Sequence, residues 1–304
     1  MAKEAAMRDL LNTREVAQYL GINEKKVYDL AKNGRIPCTR ATGKWTFPKK
    51  LIDEWIEEAS RAGIRGKREE RDFLLAAGSD DPSLGILREL YASRMTPTSL
   101  FMATVGSSAG LTAIRDGVAD CAFAHLRDPA TKEYNLPFIR KMVPARVAVV
   151  SLFRRDLGLV LRPGNPLGLR SLADLAGAGF RMINRQAGSG TRHYIDQEFF
   201  RLDIDPRTIK GYDDSVATHL EVGLRILRQE ADAGIATRAI ARLLGLDFIA
   251  LAQERFDIVI LRERFFFPAI QALLDIVGSR EFRVRVEAME GYDTSESGRM
   301  IASI

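Results

Sequence analysis

The sequence predicts a two-part protein, a small helix-turn-helix unit followed by a larger α/β body. Three observations carry that prediction. Charge is segregated: the first 71 residues hold 16 Lys+Arg against 11 Asp+Glu, which leaves 29 of each in the remainder, so the net charge of +5 belongs to the N-terminal quarter. Two short amphipathic segments on either side of Gly21 have helix-turn-helix spacing. From Asp72 onward, strand-like apolar runs alternate with helix-like segments, as in α/β architectures.

In the head, Thr13 is placed to cap a first helix with Val16, Ala17 and Leu20 as its apolar stripe, and Gly21 stops it. Asn23 is placed to cap a second helix that turns Val27, Leu30 and Ala31 inward and Glu24, Lys25, Lys26, Asp29 and Lys32 outward, ending at Asn33-Gly34. Residues 35–47 alternate as a hairpin around Ala41-Thr42-Gly43-Lys44. Pro48 then opens a third helix with Leu51, Ile52, Trp55 and Ile56 on one face. Trp45 is expected under the hairpin and Trp55 in the core. Residues 60–71 are charged, contain Gly and lack large apolar side chains except Ile64, which marks a linker or a fraying helix end between a head at 1–59 and a body at 72–304.

In the body, three apolar runs each end in a loop of small residues that opens a helix. Residues 73–77 lead into Gly78-Ser79-Asp80-Asp81-Pro82, residues 100–105 into Gly106-Ser107-Ser108-Ala109-Gly110, and residues 180–183 into a loop running from Asn184 to Arg192. Such loops present backbone N–H groups at the positive end of a helix, and Ser or Thr hydroxyls add donors without crowding. Three on one sheet edge, one of them carrying Arg185 and Arg192, point to a cleft for a small anion, with Ser79, Ser107, Arg185, Ser189, Gly190 and Thr191 as its candidate contacts.

Other chemistries lack their signatures. Ala187 breaks the Gly-x-Ser-x-Gly pattern that would make Ser189 a hydrolase nucleophile, and the same loop lacks the Gly-Lys-Ser/Thr ending of a nucleotide-binding loop. Cys38 and Cys121 are far apart and the three histidines are scattered, so neither a disulfide scaffold nor a metal site is expected. The longest uncharged run, Met95 to Ile114, is filled with Thr, Ser, Gly and Pro rather than continuous apolar side chains, and the first residues carry charges of both signs. No membrane span or signal peptide is expected, and a cytoplasmic location follows.

The head, with its Leu-Asn-Thr-Arg-Glu-Val-Ala-Gln-Tyr-Leu-Gly phrase at residues 11–21 and Gly-Arg-Ile-Pro at 34–37, resembles the small winged helix-turn-helix of excisionase and MerR-like DNA-binding families. The resemblance implies that Lys25, Lys26 and Tyr28 face the major groove while Arg40 and Lys44 lie along the wing beside phosphates. A protein-interaction module with a solvated helix face is the alternative.

The body resembles the type II periplasmic-binding-protein-like domain found fused to helix-turn-helix heads or to molybdopterin-biosynthesis modules. The carrying phrases are Gly78 to Pro82, His125-Leu126-Arg127-Asp128-Pro129, Glu133-Tyr134-Asn135, Pro163-Gly164-Asn165-Pro166, Asn184 to Arg192, Thr218-His219, Ala231-Asp232-Ala233-Gly234 and Gly291-Tyr292-Asp293. Arg185, Ser189, Gly190 and Thr191 also match in place a loop of tungstate-binding transport proteins, from which Asn184, Gln186 and Ala187 depart. The resemblance implies two lobes, one at about 72–150 plus 255–304 and the other at about 151–254, with ligand between them. Asp80 stands where that family has His, and Asp80-Asp81 would repel an anion unless the carboxylates turn away or the ligand is organic. His219 and Asp232 either touch ligand or order the hinge.

Together these readings describe a regulator, not an enzyme. The head binds double-stranded DNA, the body senses a small anion with molybdate or tungstate first among candidates, and a homodimer reads two half-sites without a cofactor. The competing readings are a molybdenum-cofactor-related or hydrolytic enzyme tethered by the head, a sensor of a small organic acid, and an architectural DNA-binding protein whose body is a dimerisation scaffold.

Overall fold

The computed structural model describes residues 10–33, 36–40, 43–64, 73–95, 98–176 and 179–304, and the chain divides into two units, Met1–Glu70 and Arg71–Ile304. The first consists of β1 (Leu10–Asn12), α1 (Thr13–Leu20), α2 (Glu24–Lys32), β2 (Thr46–Pro48) and α3 (Lys49–Ile64). Asn12 rather than Thr13 caps α1. It is still extended at φ −90°, ψ 175°, its Oδ1 accepts from Glu15 N at 3.0 Å, and Glu15 Oε2 accepts from Asn12 N at 2.8 Å. Thr13, one residue later, is already helical. Gly21 ends α1 in the left-handed region at φ 67°, and Asn23 caps α2 by accepting from Lys26 N at 2.8 Å. Val16, Ala17, Val27, Ala31, Ile36, Phe47 and Ile52 form the core of this unit.

Pro48 closes β2 instead of opening α3, and Leu51, expected inward, is exposed. The buried face of α3 follows Ile52, Trp55 and Ile56 at helical spacing, and Leu51 lies one residue off it. Thr39 and Thr46 exchange backbone hydrogen bonds at 2.8 and 2.9 Å, as the hairpin requires, and β2 also pairs antiparallel with β1, which adds a strand that local pattern does not announce. Arg35, Ala41 and Thr42 of the expected hairpin, residues 65–71 of the expected linker, and Gly34 and Asp72 beside them lie outside the described residues. Residues 60–64 are helical.

The second unit runs β3 (Phe73–Gly78), α4 (Leu84–Arg94), β4 (Ser99–Thr104), α5 (Ser107–Arg115), β5 (Cys121–Ala124), α6 (Leu136–Met142), β6 (Val147–Leu161), β7 (Met182–Arg185) and α7 (Gly190–Arg201). It continues through β8 (Ser215–Val216), α8 (His219–Leu227), β9 (Ala233–Thr237), α9 (Arg238–Leu244), β10 (Asp247–Leu261), α10 (Pro268–Gly278), α11 (Arg280–Glu287), β11 (Tyr292–Asp293) and β12 (Met300–Ser303). One sheet of order β4-β3-β5-β10-β6-β9-β7-β8 passes through it, and β11 and β12 add to β6.

β3 lies parallel to β4 and β5 in one half, and β7 parallel to β8 and β9 in the other. The two halves share β6 and β10, antiparallel strands of 15 residues each. Two register shifts, at Ala250/Ala252 and Phe256/Asp257, interrupt that pairing. Each half has separate cores. Leu87, Phe123, Phe256, Ile270 and Phe282 form one cluster of the first half, and Leu111, Ile114, Val149 and Val259 another. In the second half, Leu159, Ile195, Phe199 and Ile235 are distinct from Val160, Ile183, Val222 and Ile240. These cores fix the ends of the parallel strands, from which the three small-residue loops emerge.

Candidate functional site

The three loops meet. Ser108 N donates to Gly188 O at 3.3 Å, and a Cβ added to Gly106, at φ 84°, would lie 3.1 Å from that same oxygen. His219 N, in the first turn of α8, donates to Asp80 Oδ2 at 3.0 Å. A Cβ on Gly190 would sit 2.5 Å from His125 Cε1, so Gly190 permits close approach of α7 to the end of β5. The cleft between the halves is therefore closed by backbone from both sides.

Within it the expected contacts divide. Arg185 is 2% exposed; Nη2 donates to Ala217 O at 2.8 Å and Nε to Gln186 Oε1 at 3.4 Å, whereas Nη1 is buried with no partner. Among the described residues Arg185 forms no ion pair. Thr191 Oγ1 and both ring nitrogens of His219 are likewise buried without partners. Ser79 and Ser107 are buried and lie Oγ to Oγ at 2.6 Å, and Ser107 also accepts from His125 N at 3.2 Å. Ser189 Oγ donates to Gln186 O and accepts from Arg192 N, the latter capping α7. Arg192 turns elsewhere, to Asp196 at 2.9 Å and over the Tyr212 ring at 4.1 Å. Asp232 holds Arg181 N and Arg162 rather than the cleft.

Asp81 is held by Arg155 and Tyr292. Its Oδ2 lies 2.6 Å from Arg155 Nη1, and Tyr292 Oη donates to Oδ1 at 3.0 Å. Arg155 belongs to β6, is fully buried, and also pairs with Glu254 of β10 at 3.0 Å, while His125 Nδ1 lies 3.1 Å from Glu254 Oε1. Arg155, Glu254, His125 and Tyr292 are not among the residues that sequence reasoning picks as candidates. The available signal is charged residues in the middle of two long apolar strands.

Electrostatics follow from this burial. Desolvation, only partly offset by Asp80, pulls Arg185 down to about 10, which leaves it cationic at neutral pH. Burial, reinforced by Arg185, Arg155 and His125, holds His219 well below its ordinary value, so its imidazole is neutral. Burial raises Asp80 against the opposing pull of His219 N–H and Arg185. The cleft thus offers one guanidinium edge without a hydrogen-bond acceptor, a hydroxyl without a partner and a neutral imidazole. An unpaired buried donor costs about 1–3 kcal/mol, and a ligand oxygen accepting from Arg185 Nη1 would recover that. Among the described residues no group of His, Cys, Asp and Glu is arranged to hold a metal ion.

In the N-terminal unit, Lys25, Lys26 and Tyr28 are exposed on α2, and Arg40 and Lys44 are exposed on the hairpin. Arg40 lies 5.0 Å above the half-buried Trp45 ring. Among the described residues no helix is long and apolar enough to cross a membrane.

The profile of the PBP superfamily domain matches residues 88–278. The chain belongs to the PBP superfamily. A helix-turn-helix domain profile matches residues 10–60, so an excisionase-like helix-turn-helix domain precedes the PBP domain. The uncharacterized protein YvgK of Bacillus subtilis (strain 168) is 27% identical over 299 residues, which is 94% of this chain and 96% of that protein. An uncharacterized protein from the 5′ region of a ferredoxin 2Fe-2S gene in Clostridium pasteurianum is 33% identical over 111 residues, 36% of this chain and 98% of its own length. Among solved structures, a phosphate-bound substrate-binding protein assigned to a phosphate ABC transporter of Clostridium perfringens superposes with a TM-score of 0.57 at 15% identity, covering 73% of this chain and 98% of that one. The PBP unit therefore has the two-lobed type II fold.

Proposed function

We propose that this chain is a transcriptional regulator that senses a small anion in the PBP cleft and transmits its binding to a DNA-bound head. The buried, unpartnered Nη1 of Arg185 carries this reading, because it is a charged donor without an acceptor at the place where three loops meet. Arg185 and Thr191 are the proposed direct contacts, joined by the imidazole of His219. Ser79, Ser107, Ser189 and Gly190 shape and close the site. Molybdate and tungstate are the first candidates, phosphate joins them because the superposed Clostridium perfringens protein binds it, and small organic acids remain the alternative class. Lys25, Lys26, Tyr28, Arg40 and Lys44 are the proposed DNA contacts, in a cytoplasmic homodimer whose two heads read two half-sites.

Calorimetry of the full chain with molybdate, tungstate, phosphate, sulfate and small carboxylates tests the sensor. Saturable binding of one of them, weakened about thirtyfold or more in Arg185→Ala, is expected. Binding of undiminished affinity in Arg185→Ala would place the effector elsewhere.

A further inference from the structure

The uncharged run from Met95 to Ile114 acquires a meaning once the sheet is known. Its first strand, β4, is the terminal strand of the sheet and pairs on one side only, with β3, in unbroken parallel register from Ser99 to Thr104. Among the described residues no strand pairs with its outer side. Edge strands are ordinarily protected from pairing with another chain by a charge, a proline or a bulge. β4 contains none of these, and it presents Phe101, 55% exposed, with its ring packed edge-on to Phe73 at 5.6 Å.

We propose that β4 pairs antiparallel with β4 of a second copy of this chain, about a two-fold axis through Phe101. In an antiparallel pair, residues directly opposite one another share a face, so a two-fold register must place a residue opposite itself. Centring on Phe101 sets the two Phe101 rings against each other, with Ser99 opposite Ala103 and Leu100 opposite Met102. Near such an axis every charge meets its own copy, and like charges directly opposite destabilise a strand pair. A strand with no charge, inside a longer run with none, meets that requirement. Phe200, Leu243, Phe266 and Val118 are more exposed still, but the first two lie on helices next to Arg201 and Arg242 and the last two in turns outside any strand, so none has an unpaired strand edge of its own. One six-residue strand pair is a small interface, so the dimer is reversible and concentration-dependent rather than obligate. This interface deepens the reading of the chain as a two-headed regulator, but its test reads mass, so it can fail while DNA and anion binding stand.

Sedimentation equilibrium of the full chain should show a reversible monomer–dimer equilibrium. Phe101→Lys should raise the dissociation constant about tenfold or more, and Phe200→Lys should leave it unchanged. In a Cys38→Ser background, Phe101→Cys should form an interchain disulfide on oxidation, since Cβ atoms directly opposite approach to about 4.5 Å, the outer edge of disulfide range, whereas Phe200→Cys should not. The cross-linking variant carries the test should Phe101→Lys fail to fold. A monomer at every concentration, or a dimer that neither weakens with Phe101→Lys nor cross-links through Phe101→Cys, overturns the proposal.

Discussion

Arg155 on β6 and Glu254 on β10 pair at 3.0 Å where the two long strands pass from one half of the PBP unit to the other, and both are buried. The same guanidinium reaches Asp81 in the first loop, and the same carboxylate faces His125. A single buried cation therefore organises two carboxylates from different elements directly behind the cleft. Removing one partner of such a pair leaves buried charge uncompensated, which costs about 3–5 kcal/mol. Arg155→Met should lower the unfolding free energy of the body by that order, as read from denaturant midpoints.

Acid should act through Glu254. Burial favours its neutral form, but His125 and Arg155 outweigh burial and hold the carboxyl at about 2, below its ordinary 4.5. A carboxyl depressed in the folded state contributes stability that is fully present above pH 4.5 and is lost as pH falls toward about 2. Comparing denaturant midpoints above pH 4.5 with those at about pH 3 should show a drop in the parent protein. The drop should be smaller in Glu254→Gln; equal drops would assign the acid sensitivity to other groups.

Arg185 and Ser189 should separate in kind. Arg185→Ala should weaken anion binding by about 2 kcal/mol or more, because a charge-assisted donor is removed. Ser189 caps α7 by accepting from Arg192 N, so Ser189→Ala should cost about 1 kcal/mol of folding stability. Paired calorimetry and thermal unfolding check this; a fold weakened by Arg185→Ala with ligand affinity intact would reverse the assignment.

Gly190→Ala should obstruct closure. The added Cβ would meet the His125 ring at 2.5 Å, and that ring is fixed by Glu254 and Arg155, so it is not free to swing aside. Anion affinity should fall about tenfold or more while circular dichroism stays unchanged. Undiminished affinity would mean that the cleft does not need this approach.

Replacing Lys25 and Lys26 together by Ala should reduce DNA affinity and lower the slope of log K against log salt by about 2, one unit for each phosphate no longer neutralised. Fluorescence anisotropy across a salt series reads both quantities. An unchanged slope would show that another face of the head meets DNA.

Much of this is legible in the sequence because it is local. Gly21, Asn23 and the inward pattern of α2 follow from capping chemistry and period, and the three small-residue loops are identifiable from the runs that precede them. Asn12 escapes sequence reasoning because a capping box depends on where the preceding strand ends, and β1 exists only through pairing with β2, more than thirty residues away. The role of Asp81 is equally hidden. Beside Asp80 it reads as added repulsion, and only the fold brings Arg155, more than seventy residues later, to neutralise it.

The sharing of β6 and β10 between the halves limits how the cleft can work. Two bodies joined by a flexible tether can slide or swing freely, whereas bodies that share a hydrogen-bonded ladder cannot translate without breaking it. What remains soft is twist, concentrated where the ladder is already irregular, at Ala250/Ala252 and Phe256/Asp257. Closing on a ligand would then register as a rotation of one half against the other about a pivot that begins two residues from Glu254. A mutation at that pivot would alter the angle of response without touching the ligand.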